Sequence, residues 1–242
     1  PAQRWAWLGV GVLTLGVMFF SGRHFYTGAW QSLRNHSANM DTLIALGTGM
    51  PLARRSQAAT CWLVELGNGD KFFFDFGPGC MRNIIGLQHH VATINDIFIT
   101  HLHVDHSSDF PALLKAGYFS ARRRGLPLLG PTGDGAFPGL QDWLNALLAE
   151  PDGAYHYLAG YLDGSDGLFG LDVREVDASA RQPQTVFESP ELVLKAVGVV
   201  HGSVPALGLL ATVKGHRVAF SGDQNGHNPA FARMIGGAEL LI

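Results

Sequence analysis

Apolar positions along this chain fall into two textures. From Trp5 to Phe20 the sequence is apolar throughout except for Thr14, with Arg4 before the run and Arg23 after it. A run of this kind lies at the short end of what crosses a hydrocarbon layer, and Gly9, Gly11 and Gly16 weaken it as a helix in water. It predicts an N-terminal helix inserted in a membrane through residues 5–20; a buried or interfacial helix and a signal peptide are the alternatives, the last with a poor cleavage site at Phe19–Gly22. More arginine follows the run (Arg23, Arg34) than precedes it, which places the remaining chain in the cytoplasm by the positive-inside tendency. Phe25, Ala29, Trp30 and Leu33 then recur at helical spacing, giving an amphipathic segment.

From about Leu43 the texture changes to short β-branched and aromatic runs punctuated by Gly, Pro, Asn and Asp. Strands are expected at Leu43–Met50, broken by Gly47, Gly49 and Pro51, and at Thr60–Leu66. A hairpin turn at Gly67–Asp70 then leads to a strand at Lys71–Phe76 that ends at Gly77–Gly79. Further strands are expected at Ile97–Thr100, Leu192–Val200, Ala206–Val213 and Val218–Asp223. Helical patterns fall at Met81–Leu87, Asp109–Phe119 and Gly139–Glu150. Hairpin strands ahead of any long helix fit the first half of a β-sandwich flanked by helices, so the class is α/β, with a segment 1–42 followed by a domain over 43–242. Pro151–Gly170, rich in Gly, Asp and Tyr, reads as a substrate-facing insertion with Tyr155, His156 and Tyr157 as candidate contacts.

Composition narrows the classes. With 242 residues, 47% of them hydrophobic, the chain can bury the core of one sizeable domain. A formal net charge of −3 gives no support to non-specific nucleic-acid binding. Arg122–Arg124 is a short basic run, read as a solvated face or as a hold for an anionic substrate. Cys61 and Cys80 form neither a disulfide framework nor a CxxC pair, and are expected to be buried thiols. The chain starts at Pro1 and stops inside the apolar Leu240–Ile242, so both ends read as cuts in a longer sequence.

The chemistry concentrates in one place. Directly after the Ile97–Thr100 strand come His101, His103, Asp105 and His106. Imidazole nitrogen and carboxylate oxygen suit zinc and its neighbours. His101 and His103, two apart, share a direction at a strand end, and a turn brings Asp105 and His106 beside them. One ion takes three or four protein ligands, so this density suggests two ions sharing a site. Later strands end in His201 and Asp223; His89 and His90 have no partner spacing and read as surface residues, His216 as an exposed turn residue and His227 as a loop residue without an assigned role.

The order His101, His103, Asp105, His106 resembles the signature of the metallo-β-lactamase-fold hydrolases. The opening Leu46–Pro51, Arg55 with Gln57, and the run Phe74–Gly79 stand in that family's order, and Leu126–Pro131 resembles its strand and following turn. The resemblance extends from about Leu43 to Ile242 and implies an αββα sandwich. It implies that His201 completes a first metal site with His101 and His103, that Asp105 and His106 serve a second, and that Asp223 bridges both. Asp75 would orient the metal loop, or else simply cap the Gly77 turn. The family adds one more histidine further on; the sequence given has none after Asp223 beyond His227, so a C-terminally truncated domain holding one or two Zn2+ is expected. The implied chemistry is attack of a metal-bound hydroxide on an ester, with Asp105 as catalytic residue. The strings at Leu46–Pro51, Phe74–Gly79 and Ser221–Gly226 look most like the ribonuclease Z/arylsulfatase-like branch, favouring a phosphodiester or sulfate ester substrate.

The stretch from Trp5 to Gly49 resembles instead the membrane region of heavy-metal, copper-type P-type ATPases. Neither a Cys-Pro-Cys helix nor an Asp-Lys-Thr-Gly phosphorylation site is present in the sequence. Two rival readings follow: a transport fragment with no catalysis of its own, and a metal-binding domain without activity.

Overall fold

The structure, a computed structural model, describes residues 42–49 and 57–242. The apolar run Trp5–Phe20, the amphipathic segment after it, and Pro51 and Arg55 lie outside the described residues. Among the described residues no helix is long and apolar enough to cross a membrane.

Two sheets form the frame. Six strands pair in the order β1 (Thr42–Gly47), β2 (Cys61–Glu65), β3 (Lys71–Phe74), β4 (Asp96–Phe98), β5 (Leu126–Pro131), β6 (Leu171–Val176). The first three run antiparallel and β3 to β6 run parallel. The second sheet has β7 (Gln184–Glu188), β8 (Leu192–His201), β9 (Val204–Val213), β10 (His216–Phe220) and β11 (Leu240–Leu241), with neighbours in sequence order. The long β8–β9 hairpin pairs every residue from Leu192 to His201.

Side-chain alternation along β3 shows how one strand serves two interfaces. Phe73 joins the cluster shared with the helices α1 (Cys80–Gly86), α3 (Phe110–Gly117) and α4 (Leu140–Leu148). Phe72 and Phe74 face the other sheet, where Phe74 stacks on Phe220 with ring centroids 3.9 Å apart and Phe72 meets Phe187 edge-on. On the far side of the second sheet, α5 (Pro229–Met234) seats Ala230, Phe231 and Met234 on Val197, Val199, Ala206 and Leu210. The layers are therefore helix, sheet, sheet, helix, as expected from the sequence. The remaining helix, α2 (Val104–Ser107), is a single turn inside the histidine-rich stretch.

Several local expectations change. Cys61 and Cys80 are not free thiols: they form a disulfide that ties the start of β2 to the start of α1. Two cysteines 19 residues apart gave no spacing signal; the hairpin carries the chain back so that their Cα atoms lie 5.8 Å apart. The Arg122–Arg124 run is not a uniform solvated face. Arg122 is buried, and its guanidinium donates to the carbonyls of Ile94, Arg124 and Gly125, stapling the approach to β4 against that to β5. In Pro151–Gly170, a 3-10 segment at His156–Tyr161 buries Leu158 and Tyr161, and the Tyr161 hydroxyl donates to Leu114 O, so part of the supposed insertion is core. Strands β6, β7 and β11 and helix α5 had no counterpart in the sequence reading. β6 and β7 carry mostly exposed or half-buried residues, which leaves little periodic signal.

Two outcomes follow from this packing. Phe74→Ala removes the ring that joins the sheets and is expected to cost about 3–5 kcal/mol in urea unfolding; a loss under about 1 kcal/mol would contradict the inter-sheet contact. Asp96, buried at the start of β4, is pushed up to about 6 by burial against the lowering pull of Arg124, Arg174 and Arg122. A raised acid means that the folded state holds more protons than the unfolded chain between its unfolded value, near 3.8, and about 6. Relative to Asp96→Asn, the wild type should therefore gain stability as pH falls from about 7 towards 4; parallel stability curves for the two proteins would refute it.

Candidate metal centre

Three strand ends deliver the histidines and carboxylates to one place. After β4, Ile99 N still donates to Leu129 O of β5, and Leu207 N of β9 donates to Thr100 O. Those bonds hold the chain extended until His101 and fasten it to both sheets. β8 ends in His201, paired with Val204 across the hairpin. β10 ends at Phe220, and Asp223 follows after Gly222, whose φ of 55° and close approach to the Leu207 carbonyl leave no room for a side chain. Strand ends on one edge of a layered α/β fold are a common place for such groups.

The ring nitrogens converge. His103 Nδ1 and His201 Nε2 stand 3.2 Å apart. His101 lies over both, with ring centroids 4.8 and 4.9 Å away, and over His106 at 4.0 Å. Two groups of three ligand atoms, each within 4.8 Å of one another, result: His101, His103 and His201, and His101, His106 and Asp223. The Asp223 carboxylate divides between them, with Oδ1 3.5 Å from His106 Nε2 and Oδ2 3.9 Å from His201 Nε2. Asp105 sits at the rim, Oδ2 3.7 Å from His106 Nε2 and outside both groups. The structure thus gathers five of the six expected ligands and links the second group through His101 in place of Asp105.

Asp75 holds this arrangement from beneath. It is buried, and its carboxylate accepts from Thr100 N at 2.7 Å, from Thr100 Oγ1, and from His106 Nδ1 at 2.8 Å. With Nδ1 engaged, Nε2 is the nitrogen of His106 that faces the site. Its backbone adopts φ 59°, a left-handed conformation that Asp tolerates better than most residues and that ends β3. Gly77 then passes so close to the Asp105 carbonyl that no Cβ fits between them. Gly79 N and Met81 N both donate to Asp109 Oδ2, so the turn after Asp75 and the turn after His106 are locked together.

Proton affinities diverge across the cluster. Burial, then the neighbouring His106, push His101 down to about 3. Burial also lowers His106, but the charge and hydrogen bond of Asp75, with Asp105 and Asp223 behind them, outweigh it and raise this ring above the ordinary histidine value. His201 is lowered, by burial first and by His103 and His106 next, against Asp223.

Whether these residues suit a cation is tested by His101. Its Nε2 is buried without a hydrogen-bond partner, the one side-chain polar atom of that kind among the described residues. A buried imidazole left this way is costly unless something else takes its lone pair. Tetrahedral zinc with bonds of about 2.0–2.1 Å sets its nitrogen ligands about 3.3–3.4 Å apart, close to the observed His103–His201 separation. The donor set, imidazoles and a carboxylate, fits zinc.

Away from the centre lie two histidines expected at the surface and two tyrosines expected as substrate contacts. His216 is exposed at the β9–β10 turn and pairs with Glu239 at 3.1 Å; His89 reaches Glu65 at 3.5 Å. Tyr155 and Tyr157 lie on the surface. The sequence reading missed Thr100, whose hydroxyl contacts Asp75 and lies 3.1 Å from His101 Nδ1; its place at the end of the apolar run was the available signal.

Comparison with known proteins agrees with this geometry. Residues 71–242 match the family described as a beta-lactamase superfamily domain. Ribonuclease Z of Methanococcus maripaludis (strain C7) is 30% identical over 165 residues, covering 68% of this chain and 46% of that protein. Ribonuclease Z of Methanocaldococcus jannaschii is 36% identical over 91 residues, 38% of this chain and 28% of that protein. The chain spans about half the length, or less, of these curated relatives. A copper-exporting P-type ATPase of Vibrio cholerae is 29% identical over 92 residues, 38% of this chain and 10% of the ATPase. Among solved structures, the short form of human tRNase Z superposes with a TM-score of 0.66 at 24% identity, over 84% of this chain and 76% of that one. A metallo-β-lactamase fold protein of Bacillus subtilis superposes with a TM-score of 0.59 at 15% identity, over 82% and 68%. With the layered sheets, the histidine-rich strand end and the family match in agreement, the chain belongs to the metallo-β-lactamase superfamily.

Proposed function

We propose that the chain is a zinc-dependent hydrolase of ester bonds, with phosphodiesters as its substrate class in the manner of ribonuclease Z. The observation that carries this reading is the buried, unpartnered His101 Nε2 at the junction of two groups of ligand atoms. His101, His103 and His201 would hold one cation and His106 and Asp223 would share in a second, with Asp223 offering one oxygen to each. Cations held there supply Lewis-acid stabilisation of a phosphoryl or carbonyl oxygen and lower the pKa of water towards neutrality.

The chain's own residues supply orientation and proton handling. Asp75 fixes His106 and Thr100, so the ligands meet a cation without reorganising. Asp105, half-buried at the rim and outside both ligand groups, would take a proton from an attacking water. Phosphodiesters are favoured by the ribonuclease Z relatives, 30% identical over 165 residues. The net charge of −3 argues that affinity for a large RNA would come from more than bulk charge.

Metal content with and without His103→Ala tests the metal claim. The wild type is expected to carry one to two zinc per chain, the variant to lose at least one, and hydrolysis of bis(p-nitrophenyl) phosphate to fall with it. Zinc-free wild-type protein, or full hydrolysis in the variant, would refute the proposal. Asp75→Asn keeps the shape and weakens the acceptor; zinc affinity is expected to drop about 10–100-fold. An unchanged zinc affinity in a folded variant would show that Asp75 only caps its turn.

A further inference from the structure

We propose that an apolar notch beside His103 seats the planar aromatic ring of the ester being hydrolysed, whether nucleobase or aryl group; this rests on the hydrolase reading above. Three stretches of chain build the notch. The histidine-rich stretch contributes Leu102 and His103, the turn after β5 and helix α4 contribute Phe137, Pro138 and Trp143, and the start of β9 contributes Val204 and Pro205.

Its position makes it part of the reacting site. His103 is both a wall of the notch and a partner of His201 at 3.2 Å, so a group seated there lies one imidazole away from the candidate cation position. An aryl ester carries its ring one oxygen from phosphorus, and a nucleotide carries its base one sugar away. Either carries an uncharged ring within a short reach of the phosphorus.

The chemistry of the walls selects what is seated. Apart from His103 and the indole N–H of Trp143 the wall side chains are carbon, with no carboxylate, ammonium or guanidinium to hold a phosphate. Two aromatic rings and two prolines are flat and stiff, which favours stacking and loses little rotamer freedom on binding. With only the imidazole and one indole N–H as polar side-chain groups, the notch reads ring shape more than hydrogen-bond pattern.

The walls are also held before any ligand arrives. Phe110 backs Trp143 at 5.8 Å between ring centroids. Phe137 sits in a turn in which Asp134 Oδ1 accepts from Ala136 N and Phe137 N at 3.0 and 2.9 Å. Pro205 pairs with Val200 across the β8–β9 hairpin, one residue pair from His201 with Val204. A preformed apolar slot contiguous with a ligand histidine is what a substrate ring needs.

Calorimetric binding to the zinc-loaded full chain tests this, with methyl phosphate, phenyl phosphate and uridine 5′-monophosphate as probes. The wild type is expected to bind at least one of the ring-bearing probes about 10-fold or more tighter than methyl phosphate. Phe137→Ala and Trp143→Ala should reduce that gap to about twofold, Trp143→Phe should restore it, and methyl phosphate affinity and zinc content should stay unchanged. Tighter binding of uridine monophosphate than phenyl phosphate assigns the notch to a nucleobase, and the reverse order assigns it to an aryl ester. Equal binding of all three by the wild type, or a ring preference that survives both alanine variants, overturns the notch while leaving the hydrolase reading intact. Zinc-loaded protein that neither binds these phosphates nor hydrolyses bis(p-nitrophenyl) phosphate overturns the hydrolase reading itself, and the notch with it.

Discussion

The carboxylate of Asp75 is the constraint on which the rest of the site depends. A buried carboxylate is costly unless its oxygens are engaged. Here it accepts from a backbone amide, a hydroxyl and an imidazole, and those donors are Thr100 and His106, the two flanks of the histidine-rich stretch. The bond to His106 is charge-assisted, and it also supports a proton on a ring that burial alone would keep neutral. One group therefore sets the direction of a ligand, the path of the strand end and the charge balance of the cluster. Its left-handed backbone ends β3, so the fold gives up a strand residue to put the carboxylate there.

Around that point the two sheets act as a clamp. The six-stranded sheet brings His101, His103 and His106, and the five-stranded sheet brings His201 and Asp223. Neither set is sufficient alone, since each three-ligand group draws on both sheets. The packing of Phe74 on Phe220 and the bond from Leu207 N to Thr100 O set the spacing between the sheets close to the site. Stability of the sandwich and affinity for a cation are thus the same problem seen at two distances, as expected when ligands come from rigid elements.

Much of this was legible in the sequence because it rests on local order. The run from Ile97 to His106 encodes a buried strand and a ligand turn together, whereas His201 and Asp223, at later strand ends, were singled out through the family resemblance. What was not legible depends on chain-distant geometry or on weak patterns. The Cys61–Cys80 disulfide needs the β2–β3 hairpin to bring its ends together. Arg122 looks like surface charge until the carbonyls of Ile94 and Gly125 are seen to close on it. The exposed β6 and β7 show little alternation, and the rim position of Asp105 follows from the single turn of α2, which no periodicity resolves.

The β8–β9 hairpin ties recognition to the metal centre. His201 and Val204 are partners in one register, and the next pair is Val200 with Pro205. A residue that faces the cation position and residues that wall the notch therefore cannot shift independently without breaking the hairpin. His103 couples the two in the same way from the opposite sheet. A ring pressed into the notch pushes on groups already fixed by the ligand cluster, and so is positioned with little loss of freedom elsewhere. In the proposed hydrolase, orientation of a scissile ester would then come from the frame that would hold the cation, an arrangement in which binding of a remote ring is turned into alignment at the reacting atom.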